Sequence, residues 1–330
     1  MKLPILTFVM FWISVASVIY TTRELYSARA PEPGPQECAL HTEGTICEQP
    51  NHGNTSASTE SGCNGLRNIS NVRIGKLTAH FGEPDPTYER ALHTHHVHNR
   101  IHGIRPLTLR EKLVDDLWNK PAFILTILVG EMMKPASERL EWLLWVDRDT
   151  VVMNPCIPVS AFLPPPPPPA ASGHGDESSP EIHALVTKDW NGLNNGVFLV
   201  RVHAWSVELF TAIMAFRHYR PDVELRFTEQ SAMELLLEED RFRANAVYVP
   251  QRWFNAYQGR HNETLAPHQT RRGDFLVHFA GDGNRRENMA GWLEVAERHA
   301  PDWELDFWRT AYPEEIDAFW RDRKASQNSG

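Results

Sequence analysis

The stretch Glu141-Trp142-Leu143-Leu144-Trp145-Val146-Asp147-Arg148-Asp149-Thr150-Val151-Val152-Met153-Asn154-Pro155 constrains the fold of this chain more than any other. It is apolar, rich in branched and aromatic side chains, and free of glycine, which reads as a buried strand over 141–153. Side chains two apart on a strand share a face, so the pattern predicts that Asp147 and Asp149 project together from the strand's carboxyl end. Ligands of open α/β sheets bind at that end. Two carboxylates held so close repel each other unless a cation sits between them. Mg²⁺ and Mn²⁺ are hard ions that prefer oxygen and commonly bridge carboxylates to a phosphate. The spacing alone is weak, since two solvated aspartates at a strand end would look the same.

The rest of the chain narrows the setting. The net charge of −9, with no basic stripe, argues against nucleic acid as a partner. Leu3 to Thr22 carry no charge over 20 positions, and a helix of that length spans roughly 30 Å, the thickness of a bilayer core. A cleaved leader is the rival reading, but the Ala28-Arg29-Ala30 triplet lies well past the apolar run. We therefore expect residues 1–22 to be a signal-anchor transmembrane segment. Residues 23–70, rich in Pro, Gly, Ser, Thr and Asn, read as a flexible stem. Asn54, Asn68 and Asn262 head glycosylation triplets. Cys38, Cys47 and Cys63 cluster in the stem and Cys156 stands apart; four cysteines allow three pairings, and one stem disulfide in an oxidising lumen is expected. Together these features predict a single-pass type II protein of the Golgi membrane with a lumenal body.

That body is expected over 71–323, with a disordered tail over 324–330. Its predicted elements alternate in α/β fashion: strand 72–79, helices 109–118 and 121–133, strand 141–153, strands 182–187 and 197–202, helices 205–217 and 228–239, short strands near 248 and 275–279, and helix over 292–322. Thr228 is the expected cap of its helix. Six consecutive prolines, Pro164 to Pro169, fit neither a helix nor a central strand, so 163–181 reads as an insertion loop.

Three further segments carry polar residues in suggestive places. Asp189-Trp190-Asn191-Gly192-Leu193-Asn194-Asn195-Gly196 is a polar turn feeding a strand, able to offer carboxamides to sugar hydroxyls or simply to form a tight turn. Glu229 and Gln230 stand in a first helical turn and are expected to point outward from it, unless they serve that helix end alone. His278 closes a short strand before Gly281, a position suited to a metal ligand or to a core histidine. The cluster His93, His95, His96, His98 and His102 lacks the partner pair of a zinc site and is expected to be structural or solvent-facing.

In this order the segments resemble the fungal α-galactosyltransferase and α-mannosyltransferase family, which is related to plant xyloglucan xylosyltransferases. The likeness runs from about Val72 to Trp292 and includes Arg73-Ile74-Gly75-Lys76-Leu77-Thr78-Ala79, His102-Gly103 and Trp118-Asn119-Lys120-Pro121-Ala122. It continues through Asp147-Arg148-Asp149, Gly192 to Phe198, Glu229 to Ala232 and His278-Phe279-Ala280-Gly281. The resemblance implies a GT-A-type, Rossmann-like nucleotide-sugar-binding fold. It implies Mn²⁺ (or Mg²⁺) on Asp147, Asp149 and His278, with Thr78 and Gly281 near the nucleotide of a UDP-galactose or GDP-mannose donor. It places Asn194, Gln230, Asp189 and Glu229 near the transferred hexose and implies a retaining transfer to a glycan or glycoprotein acceptor. Partners would be the nucleotide sugar, the acceptor, the membrane and a glycosyltransferase complex. A non-catalytic, membrane-anchored subunit of such a complex is the alternative. The chain departs from the family pattern at Asp282 and Gly283, where a Cys followed by a Lys is usual; an extra carboxylate there would join the metal shell or deprive the donor phosphates of a cation.

Overall fold

Every residue of the strand Trp142–Val146 is buried, because both faces of its sheet are covered. Leu143 and Trp145 enter one apolar cluster with Phe123, Leu128, Phe210 and Met233. Trp142, Leu144 and Val146 enter another with Phe162, Trp253, Phe275 and Tyr312. Alternate side chains of a strand face opposite ways, so an uninterrupted apolar run is what a strand between two layers requires. Burying one such leucine stabilises the fold by about 1.5–3 kcal/mol.

The computed structural model describes residues 63, 71–166, 180–259 and 265–327, all within the unit Ser61–Gly330. In chain order the elements are β1 (Ile74–Ala79), α1 (Pro86–His102), β2 (Arg105–Leu109), α2 (Asn119–Met132), β3 (Trp142–Val146), β4 (Thr150–Val152), β5 (Ala184–Asp189) and β6 (Gly192–Arg201). There follow α3 (Ala204–Tyr219), α4 (Glu229–Glu238), α5 (Asp240–Arg243), β7 (Ala246–Tyr248), β8 (Ala256–Tyr257), β9 (Leu276–His278), α6 (Arg285–Glu297) and α7 (Tyr312–Gln327). A six-stranded sheet has the order β2-β1-β3-β6-β5-β7, and a three-stranded sheet the order β4-β9-β8. β1 runs parallel to β2 and β3, whereas β6 is antiparallel to both β3 and β5. The architecture is thus mixed α/β, with α2, α3 and α4 packed over one face of the large sheet. A third cluster, with Val151, Val277 and Phe279 against Met289 and Leu293, seats α6 beneath the small sheet.

Several expectations are corrected. The strand expected over 141–153 breaks after Val146, and the chain leaves the large sheet and re-enters the small one as β4. The helix expected over 109–118 does not form: β2 ends at Leu109, and irregular chain follows, with one 3₁₀ turn at Asp116–Trp118. The Asn119 carboxamide explains this: it accepts from the N–H groups of Leu113 and Val114 at 2.8 and 3.1 Å. It also donates to the carbonyls of Val114 and Asp116 at 2.8 and 2.7 Å. A side chain thereby satisfies backbone groups that a helix would have paired. Thr228 does not cap α4. Its φ is +47° and its hydroxyl donates to Glu229 Oε2 at 2.6 Å. The helix expected over 292–322 is interrupted between α6 and α7, a stretch that includes His299 at φ +50° and Pro301.

Cys63 is bonded to Cys156, 93 positions away, with their Cα atoms 5.0 Å apart. This cross-link therefore ties Cys63, ahead of β1, to the folded body instead of closing within the stem. The expected anchor, the rest of the stem, the three glycosylation triplets and most of the proline loop lie outside the described residues. Among the described residues, no helix is long and apolar enough to cross a membrane.

Candidate active site

The two aspartates meet at the junction between the sheets. Asp147 follows the last residue of β3, where its N–H donates to Gly196 O at 2.8 Å. Asp149 lies in the turn that leads into β4, and its carbonyl accepts from Phe279 N at 3.0 Å. β4 and β9 are paired with Thr150 opposite His278, so the histidine at the end of β9 comes beside the turn. Asp147, Asp149 and His278 each offer a ligand atom, and these atoms lie within 4.8 Å of one another. The aspartates are thus neighbours through a turn between two sheets and not through the pleat of one strand.

Three features place His278 where its imidazole could hold an ion. Asn255 donates through Nδ2 to Asn194 Oδ1 at 2.9 Å and to Thr187 Oγ1 at 2.7 Å. Its Oδ1 is then the acceptor for His278 Nδ1 at 2.7 Å, which puts a proton on Nδ1 and turns Nε2 toward Asp149 Oδ1, 3.5 Å away. Fixing the remote ring nitrogen in this way is how proteins orient metal-binding imidazoles. Finally, Gly196 leaves room for the ring: a Cβ at that position would lie 2.1 Å from His278 Cε1.

Charge balance distinguishes the two carboxylates. Burial raises the Asp149 carboxyl, but His278 and Arg285 outweigh it and hold the group at about 2; Arg285 Nε lies 2.9 Å from Asp149 Oδ2. Burial, aided by the charge of Asp149, lifts Asp147 above the ordinary carboxylate range despite Lys120. Lys120 Nζ stands 3.2 Å from Asp147 Oδ1 and 3.3 Å from Glu229 Oε1, and donates to Asn195 Oδ1 at 2.9 Å. Burial opposes the Lys120 charge, but the two carboxylates prevail and raise its pKa. The indole N–H of Trp145 completes the surroundings of Asp147 at 2.7 Å. Two oxygen donors of hard character and one imidazole suit Mn²⁺ or Mg²⁺, so the residues fit the expected ion.

The other expected residues form a layer around this group. Asn194 donates to Asp189 Oδ2 at 3.0 Å and to the Tyr257 hydroxyl at 2.6 Å, and that hydroxyl donates to Asp189. Gln230 Oε1 accepts from Asn195 N at 3.1 Å. Glu229, expected to face outward, is instead buried against Lys120 and Asn195. Thr78 is buried at the carboxyl end of β1, one position past the Leu77–Trp145 register pair with β3. Gly281, at φ +66°, makes the turn after His278. Asp282 does not join the metal group. Its Oδ2 accepts from Gln258 at 2.8 Å and Asn288 at 2.7 Å, and its Oδ1 from Asn284 N at 2.9 Å. An open cleft of about 420 Å³ runs beside this turn, lined by Tyr88, Arg285 and Arg286 among others.

Of the histidine cluster, expected to be structural or solvent-facing, three members are structural and His93 is exposed. His95 bonds Thr150 Oγ1 at 2.9 Å, His98 spans Lys76 Nζ and Ile157 O at 2.9 Å each, and His102 reaches Pro155 O at 2.8 Å. Among the described residues one other set, Glu181, His183 and His203, has converging ligand atoms. Its two imidazoles are stacked, 4.1 Å apart and tilted by 12°. Their lone pairs lie in nearly parallel planes and cannot meet at one ion.

Residues 100–288 match the galactosyl transferase GMA12/MNN10 family, a span that contains Lys120, Asp147, Asp149, Asn194, Gln230 and His278 and covers over half of the chain. The chain belongs to this family. Among relatives, it is 26% identical over 191 residues to a probable alpha-1,2-galactosyltransferase, gmh1, of Schizosaccharomyces pombe, covering 51% of this chain and 54% of that one. It is 26% identical over 212 residues to xyloglucan 6-xylosyltransferase 4 of Arabidopsis thaliana, covering 55% and 39% respectively. The chain therefore spans about half or less of the length of these relatives. A solved glycosyltransferase involved in glycosylation of the major capsid of PBCV-1 aligns with a TM-score of 0.46 and 19% identity, over 66% of this chain and 99% of that one. The matched span includes Asp147, Asp149 and His278. Lys120, Asn255, Tyr257 and Arg285 are site residues that the sequence reading did not assign. Lys120 lay within a matching motif, but Asn255 and Tyr257 carry no marker and reach the site only through the pairing of β8 with β9.

Proposed function

We propose that this chain is a metal-dependent, retaining α-glycosyltransferase that moves a hexose, galactose or mannose, from a nucleotide sugar to a glycan or glycoprotein acceptor. The observation that carries the reading is the convergence of Asp147, Asp149 and His278, with His278 Nδ1 tied down by Asn255. Family membership and the names of the relatives support transfer of a sugar. When bound, the ion would neutralise charge developing on the leaving diphosphate. Arg285, beside the cleft, is a further cation on the side where those phosphates would lie.

The carboxylates nearest the transferred sugar are already committed. Asp189 accepts from Asn191 N at 2.6 Å, from Asn194 and from Tyr257. Glu229 accepts from Thr228 Oγ1 at 2.6 Å and pairs with Lys120. Neither is a free nucleophile, which favours attack by the acceptor hydroxyl on the face the leaving group departs from, over a covalent double displacement. The Cys63–Cys156 disulfide supports an oxidising compartment, in line with a GT-A-type body held in the Golgi lumen by the apolar segment over 3–22.

The test is to incubate the full chain in detergent with UDP-galactose or GDP-mannose, Mn²⁺ and a glycan acceptor. Acceptor-dependent release of nucleoside diphosphate, abolished by EDTA and by Asp149→Ala, is expected. Release indifferent to the acceptor would indicate a hydrolase. No release with either donor would favour the non-catalytic subunit.

A further inference from the structure

Trp190 sits at the tip of the β5–β6 hairpin and is 73% exposed. A lone exposed aromatic is ordinary on a protein surface, but this one is fixed from several sides. Asp189 Oδ1 accepts from Asn191 N at 2.6 Å, closing the turn around it. Gly192 adopts φ +106°, and a Cβ there would lie 2.1 Å from Glu234 Oε1. The indole meets Tyr257 at 5.3 Å and His268 at 6.0 Å, each at 70°. These near-perpendicular contacts steady the ring and leave most of it uncovered.

Its neighbours lead directly to the metal group. Tyr257 is opposite His278 in the β8–β9 register, their rings 6.0 Å apart. The Tyr257 hydroxyl joins Asp189 and Asn194. Trp190 is thus connected to His278 through Tyr257 by two ring-to-ring contacts. A diphosphate held by the metal group would meet His278 itself and not a ring two contacts removed from it, which leaves the exposed Trp190 to a sugar entering from solvent. Indoles offer a flat apolar face that suits the C–H face of a pyranose. We propose that Trp190, steadied by Tyr257 and His268, is the stacking platform for a pyranose unit of the glycan acceptor. This rests on the transferase reading above and adds to it the residue that receives the acceptor.

The test uses the full chain labelled with 5-fluorotryptophan, whose eleven tryptophans give separate ¹⁹F resonances. Trp190 and the similarly exposed Trp308 are assigned by loss of a signal in Trp190→Phe and Trp308→Phe. Mannobiose, lactose and cellotetraose are then titrated to millimolar levels. A saturable shift of the Trp190 resonance by at least one glycan, with Trp308 unmoved, is expected. In turnover, Trp190→Ala should raise the acceptor KM about ten-fold or more, the size of one lost aromatic contact, while Trp190→Phe recovers most of it and the donor KM stays within about two-fold. A Trp190 signal that ignores all three glycans overturns the proposal. So does an Ala variant with wild-type acceptor KM, or a donor KM that rises in step, which would make the ring part of the donor site. If the signal responds but the wild-type chain transfers nothing, the transferase reading fails and the platform stands.

Discussion

A single missing side chain makes the metal group geometrically feasible. At Gly196 the β6 backbone passes so close to His278 that a Cβ would lie 2.1 Å from Cε1 and 2.9 Å from both ring nitrogens. Here glycine is needed for space, not for an unusual φ. Gly196→Ala should push the imidazole away from Asp149, and a shift of about 1 Å at such a position costs about 10²-fold in rate. Mn²⁺ affinity, read by titration calorimetry, and transfer rate should fall together. Wild-type Mn²⁺ affinity in this variant would mean that His278 does not hold the ion. Asn255→Leu tests the same arrangement from the other side. It deletes the acceptor for Nδ1 and should weaken Mn²⁺ binding by about 10- to 100-fold, the usual effect of removing a ligand's outer partner. An unchanged affinity would show that the ring is positioned by packing alone.

At the scale of elements, the join between β5 and α3 carries a pH dependence. His183, just before β5, is buried and stacked on His203, whose Nδ1 accepts from Trp205 N to cap α3. Burial lowers the His183 pKa to about 4. The unfolded chain takes up this proton near pH 6.5, the folded chain only near 4. Acidification therefore favours the unfolded state across that window, costing up to about 3 kcal/mol, with no effect of this group above it. His183→Phe should flatten the difference between urea unfolding at pH 7.5 and at pH 4.5 relative to wild type; an unaltered difference would place the acid sensitivity elsewhere. The same join illustrates what the sequence could reveal. β3 and β6 were legible as continuous apolar runs rich in branched and aromatic residues, and α2 and α3 from their long apolar stretches at helical length. The irregular segment after β2 was not, since Leu109, Leu113, Val114, Leu117 and Trp118 are spaced as on a helix, while the Asn119 carboxamide that replaces that helix acts through local tertiary geometry. Asp147, Asp149, Asn194 and His278 were found as motifs. Asn255 and Tyr257 were not, because only the β8–β9 pairing makes them neighbours of the metal group.

For the whole molecule, the disulfide decides where the folded unit starts. Cys63 and Cys156 close a 93-residue separation that contains β1, α1, β2, α2, β3 and β4, and with them Asp147 and Asp149. Cross-linking a loop of this length restricts the unfolded chain and stabilises the folded one by about 4–5 kcal/mol in the chain-entropy account. That is a large share of the roughly 5–15 kcal/mol by which folded domains are stable. The composition shift near residue 70 suggests a body beginning at Asn71, but such a chain would leave Cys156 without its partner. Cys63→Ser should lower the unfolding free energy by about 4 kcal/mol in urea titrations. A chain starting at Asn71 should show the same loss, whereas one starting before Cys63 should not. Reductant should destabilise the wild type to a similar extent and leave Cys63→Ser unaffected. If reductant leaves the wild-type midpoint unmoved, the bond does not contribute to stability.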